Sequence, residues 1–242
     1  MSTRTNDSGK TRRERAAALR TAQQRAERRR LARIWAAVVI VVLAAAGIIA
    51  GIAVSSSGGK KQAAAQTGPM GPEGIVLQEG TPLAPITTAA KGGTVQGVQC
   101  NSAEQAAYHI HTHLSVYVNG VLRPISPGVG AVTPVAQQTA NSVFYSASSC
   151  YYWLHVHAQD GVIHVESPTN TTYTLGQFFA IWGQPLSKTQ VGPATGNLTA
   201  YVNGKPYAGD PAAIPLGSRE DIQLDVGTPV APKRVDWSQS QL

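Results

Sequence analysis

Sulfur is scarce in this chain, with two cysteines and two methionines among 242 residues. Met1 opens the sequence and Met70 sits in a Gly/Pro-rich stretch, so a thioether site suited to Cu(I) has no support. Cys100 and Cys150 make an even pair, which outside a membrane favours a disulfide; two thiolate metal ligands or two free thiols are the alternatives. Enzyme signatures are also missing. There is no Gly-x-Ser-x-Gly elbow, no phosphate-binding glycine loop and no pair of catalytic carboxylates, which removes the usual grounds for a Ser-His-Asp hydrolase or a phosphate-binding enzyme. No aromatic residue precedes Trp35, so the basic N-terminal stretch has nothing on which a base could stack.

Acidic residues are few in that stretch. Residues 1–34 hold eleven Lys/Arg against three acids, whereas residues 62–242 hold seven basic and ten acidic residues. The net charge of +7 therefore describes a tail, and a nucleic-acid partner is not expected. One long uncharged run, Ile34 to Val54, is long enough to cross a bilayer as a helix. A signal peptide with cleavage after Ser55 is the rival reading, but its apolar region is typically about 7–15 residues behind a short basic stretch. Basic residues stay cytoplasmic. The expected layout is a largely disordered cytoplasmic tail over 1–33, a single transmembrane helix over 34–54 in the lipid bilayer, and everything beyond on the extracellular side.

Residues 55–95 are rich in Gly, Pro, Ala and Ser and read as a flexible linker, with Gly74 to Leu77 able to add an edge strand. From 96 to 237 short alternating runs predict a β-rich α+β domain, β-grasp-like or a β-sandwich, ahead of a C-terminal tail over 238–242. One short amphipathic helix is expected from Thr174, where Thr174 and Gln177 form a capping box, Leu175, Phe178, Phe179 and Trp182 share a stripe, and Gly183 supplies the stop. An internal echo links His113-Leu-Ser-Val-Tyr-Val-Asn-Gly120 with Asn197-Leu-Thr-Ala-Tyr-Val-Asn-Gly204; both end in the Asn-Gly hairpin signal, and the second copy has no histidine.

The histidines carry the functional argument. All six lie in two segments, His109, His111 and His113 in the first and His155, His157 and His164 in the second. Alternate residues of a strand share a face, so each set is co-facial and opposes an apolar face. If Asp160-Gly161 is a two-residue hairpin turn, His157 faces His164 and His155 faces Glu166. Imidazole is the commonest transition-metal ligand, and three or four donors within tetrahedral reach make a site for Zn(II) or Cu(II). Glu166 would orient a ligand from behind, and Tyr117, Tyr151 and Trp153 on that face would shield it. Three histidines of one strand span roughly 13 Å, so two sites, or one site using a subset from each strand, follow.

The layout resembles that of α-carbonic anhydrases in geometry only. Cupins also use His-x-His with a later carboxylate, but here no Glu stands three or four residues after His157. The motifs His-x-His-x-His-Leu, Tyr-Val-Asn-Gly, Trp-Leu-His-x-His-x-x-Asp-Gly-x-Ile-His-x-Glu and Leu-Gly-Gln-Phe-Phe-x-x-Trp-Gly, spread over Val98 to Trp237, resemble a group of uncharacterised membrane-anchored extracytoplasmic proteins of high-GC Gram-positive bacteria. The resemblance implies a location and brings no activity with it. The expected function is a membrane-tethered metal-binding domain. A metal-dependent hydrolase or hydratase is one alternative, and a structural or partner-binding envelope module without metal is the other; neither names a protein partner.

Overall fold

The computed structural model describes residues 64–86, 90–240 and 242. The expected basic tail, the span 34–54 and the first part of the linker lie outside the described residues. Among the described residues no helix is long and apolar enough to cross a membrane.

The domain is β-rich with a single short helix. Its principal strands are β1 (Tyr108–Val118), β2 (Val121–Leu122), β3 (Ala131–Gln138), β4 (Val143–Tyr152), β5 (Leu154–His155), β6 (Val162–Ser167), β7 (Leu198–Val202), β8 (Lys205–Tyr207) and β9 (Glu220–Val226), with α1 at Leu175–Trp182. The main sheet runs in the order β8-β7-β9-β1-β6-β5, and β2 folds back on the far end of β1. β9 and β1 are parallel and lie side by side at its centre; the other pairs are antiparallel. A second sheet of three strands joins Cys100–Asn101, β4 and β3.

Local chemistry explains several elements directly. Both Asn-Gly pairs close two-residue hairpins, Val118 pairing with Val121 and Val202 with Lys205. Asn119, Gly120, Asn203 and Gly204 all take positive φ, as a primed turn requires at both central positions. The helix starts at the capping box, where Thr174 N–H donates to Gln177 Oε1 at 2.8 Å and Gln177 N–H to Thr174 Oγ1 at 3.4 Å, and it stops at Gly183 with φ 71°. Leu175, Phe178, Phe179, Ile181 and Trp182 are all buried. They pack with Leu114 and Val116 of β1, Ile163 and Val165 of β6, Leu154 of β5, and Ile222 and Leu224 of β9 in one apolar core.

The opposite face of the main sheet is polar and yet buried. His111, His113, Ser115, His164, Glu166, Asp221, Gln223 and Asp225 lie there with little or no exposure. What covers this face was expected to be linker. On that face Ile75 is fully buried against Val162 and Val235 and Gln78 is buried beside His113, whereas Leu83 and Ala84 enter the apolar core on the helix side, where Trp182 Nε1 donates to Pro85 O at 2.9 Å. The domain therefore begins well before residue 96, because the apolar Ile75, Leu83 and Ala84 bury themselves against it. Gly74 to Leu77 forms no edge strand; its contribution is one isolated bridge between Met70 and Val76.

The turn at Asp160-Gly161 is a further correction. β5 ends at His155 and pairs Leu154 with Val165 and His155 with His164. Residues beyond it find other partners: Val156 N–H donates to Val129 O, Tyr145 N–H to His157 O, and Gln78 N–H to Gln159 O. Asp160 Oδ1 accepts from Val162 N–H at 3.0 Å, closing a wider loop. The shift is by two residues, so the histidines keep their face. β4 runs unbroken from Val143 to Tyr152 in a long hairpin with β3, and β2 is only two residues long.

Cys100 and Cys150 form a disulfide with Cα atoms 5.5 Å apart. It closes a 50-residue separation, for which the chain-entropy model gives about 4 kcal/mol of stabilisation. Replacing both cysteines by alanine should lower unfolding stability by about that amount in chemical denaturation; a change under about 1 kcal/mol would show that the bridge closes no loop the unfolded chain leaves open.

Candidate metal centre

Three adjacent strands place the cluster. His155 of β5, His164 of β6 and His111 of β1 lie in one row across the sheet, and the next row pairs His109 with Glu166. His157 reaches the same place from the loop after β5, its ring centroid 4.7 Å from that of His155 and 4.6 Å from that of His164. Donor atoms of His155, His157, His164 and Glu166 lie within 4.8 Å of one another, as do those of His109, His111, His164 and Glu166.

His113 is on the same face and outside both groups. Its Nε2 stands 3.2 Å from Gln78 Nε2, which also donates to Leu114 O at 2.7 Å. An amide nitrogen only donates, so His113 Nε2 accepts and its lone pair is already used. Of the expected shields, Tyr151 stands with its ring centroid 5.2 Å from that of His155. Trp153 instead donates to Asn101 Oδ1, and Tyr117 lies under Lys233. Phe144 supplies a cover not foreseen, stacked on His157 at 4.4 Å.

Tautomers can be assigned from the hydrogen bonds. His155 Nδ1 lies 2.8 Å from Tyr152 O and His157 Nδ1 lies 2.7 Å from Tyr145 O. A carbonyl only accepts, so both Nδ1 atoms carry the proton. Burial, followed by the charges of neighbouring histidines, pushes both imidazoles below their ordinary range, His157 to about 4 and His155 well below, so both are neutral at pH 7. Their Nε2 lone pairs then face each other at 3.1 Å. Nothing on either ring holds these lone pairs together.

His164 is the counterpart. Its Nδ1 lies 3.2 Å from Glu166 Oε1 and its Nε2 lies 2.9 Å from Glu73 Oε1. Burial disfavours its charge, but the adjacent Glu166 and Glu73 carboxylates outweigh burial and raise it to about 10. His164 is thus an imidazolium between two carboxylates. Burial opposes ionisation of Glu73 as well, yet the hydrogen bond to His164 and the His164 charge hold it below the usual carboxylate range. Asp160, fully buried beside Glu73, is pushed well above that range by burial and then by the Glu73 charge. His111 is lowered to about 3, first by burial and then by its cationic neighbour His164.

No protein-family model, no curated protein and no solved structure matches this chain. The reading of the site accordingly stands on its own geometry.

Sequence reasoning passed over Glu73 and Glu104, which lies 3.5 Å from His157 Nε2. Glu73 closes the second Gly-Pro-x triplet, just ahead of the apolar run Ile75 to Leu77. That run was the one available signal that the segment docks. Besides His164 Nε2, whose contact is Glu73 Oε1, four buried side-chain atoms without a hydrogen-bond partner among the described residues gather here: Glu73 Oε2, His111 Nε2, Asp160 Oδ2 and Glu166 Oε2. Buried polar groups are normally satisfied, and a concentration of orphans asks for a missing partner.

Proposed function

We propose that this protein binds a divalent transition-metal ion, Zn(II) or Cu(II), through Nε2 of His155, His157 and His164. The observation that carries the reading is the pair of facing Nε2 atoms at 3.1 Å, each on a ring whose Nδ1–H is held by a backbone carbonyl. Metal-bound histidines nearly always donate their other N–H in this way. Two nitrogens bound to a tetrahedral ion at 2.0–2.1 Å stand roughly 3.3 Å apart, close to the spacing found. Glu166 completes the arrangement from behind His164, as a carboxylate that orients a ligand ring.

The scaffold supports a β-grasp reading. A strand pair (β1, β6), a helix and a second pair (β7, β9) form the order β6-β1-β9-β7 with a parallel central pair. The uncharged run at 34–54, the basic residues before it and the disulfide support a membrane-tethered, extracytoplasmic location, as does the likeness to anchored proteins of high-GC Gram-positive bacteria. A metal-dependent hydrolase or hydratase is the second reading. It is favoured by a cavity of about 480 Å³ that opens beside His109 and His111.

The test is elemental analysis of the purified full-length chain after loading with Zn(II) or Cu(II) and exhaustive dialysis. At least one ion per chain is expected, and a chain that retains neither metal overturns the reading.

A further inference from the structure

His164, on the strand between β5 and β1, has a donor set on either side. Its Nε2 lies 2.9 Å from Glu73 Oε1, and its ring centroid is 5.2 Å from that of His155 and 4.6 Å from that of His157. Nδ1 faces Glu166 Oε1, the same oxygen that lies 2.9 Å from His109 Nε2. On that second side the His111 ring stands edge-on to His164 at 4.5 Å and 4.5 Å from His109, and His111 Nε2 is buried with no hydrogen-bond partner. Glu166 Oε2 is likewise buried and unpartnered. His109, His111 and the second Glu166 oxygen have no role in a site made by His155, His157 and His164 with Glu166 Oε1 behind it.

A single ion cannot gather them all. Two donors on one ion at bonds of about 2.1 Å are never more than roughly 4.2 Å apart, whereas the donors of His155 and His157 and those of His109 and His111 fall into no single group within 4.8 Å. The donors sort into two groups that have His164 and Glu166 in common. Building on the metal reading above, we propose that the centre holds two divalent ions, an inner one on Nε2 of His155, His157 and His164 and an outer one on His109, His111 and the Glu166 carboxylate between them.

The two positions differ in access. The inner donors are at most 4 % exposed. The outer position borders the cavity lined by His109, Ile110, His111, Ser218 and Arg219, and the His109 side chain is 42 % exposed. The outer ion therefore exchanges with solvent and keeps coordination open to water or an anionic ligand, while the inner ion stays enclosed.

The experiment is Zn(II) stoichiometry of the purified full-length chain, with Cu(II) loading for electron paramagnetic resonance. Two ions per wild-type chain are expected, one of them removed quickly by a chelator and the other slowly. His109→Ala combined with His111→Ala should leave one slow ion, and the doubly Cu(II)-loaded wild type should show the spin–spin interaction of a close pair. One ion in the wild type, unchanged by the His109/His111 variant, overturns the two-ion centre and leaves the single-ion reading standing. Two ions without spin interaction also overturn it, because Glu166 would not lie between them. No ion in any chain overturns both readings. The wild-type stoichiometry and resonance decide the matter even where the variant fails to fold.

Discussion

Replacing His155 and His157 together by alanine should weaken the affinity of the inner ion by well over 100-fold. Loss of a single partner behind a ligand commonly costs 10–100-fold, and this double change removes two of three direct donors. A ligand at 100 times its dissociation constant stabilises the folded state by about 2.7 kcal/mol. For a domain of this size that corresponds to a rise of roughly 5–10 °C in the unfolding midpoint. Wild-type protein should show that rise on adding Zn(II), and the double variant should show a much smaller one. Equal shifts in the two chains would place the inner ion elsewhere.

Affinity should climb about tenfold for each pH unit between 6.5 and 8.5. The proton on His164 must leave before Nε2 can bind an ion, and that group is raised to about 10, so one proton is displaced across the whole interval. Histidines in general would compete only below about pH 6.5; His111 and His157, lowered to about 3 and about 4, do not compete in this range at all. Calorimetry in buffers of different ionisation heat should count close to one proton released per inner ion. A flat affinity profile over the interval would show that His164 is not a ligand.

The metal-free protein carries the opposite signature. His164 has a folded value above its unfolded one, so its stabilising contribution is complete below about 6.5 and is lost as pH rises toward 10. His111 and His157 are depressed, so theirs is complete above 6.5 and is lost as pH falls toward 3–4, and His155, also depressed, acts in the same direction. With respect to these groups stability peaks near neutrality.

What the sequence announced was whatever depends on neighbours in the chain. The Thr174–Gln177 capping box, the Gly183 stop and both Asn-Gly hairpins are local, and all appear where their residues stand. Strand parity is local too, which is why the histidines share a face although the turn at Asp160 was misjudged. That turn depended on distant partners, since residues 156–159 bond to Val129, Tyr145 and Gln78 instead of to β6. β3 was invisible for a similar reason: Ala131–Gln138 is largely exposed and carries Pro134, so it shows no alternation, and Thr133 at φ 54° marks an irregularity that no pattern signals. Glu73 needed the fold itself, because nothing near it in sequence ties it to His164.

The docking of residues 73–78 onto the polar face also sets a working radius. Were the chain anchored through 34–54, only residues 55–63 would lie between the anchor and the first described strand at Ala64–Ala65. Nine residues drawn out fully span roughly 30 Å. On so short a leash the centre could sample only a shell about one protein diameter deep above the lipid, and any donor or acceptor of its ion would have to come to that shell.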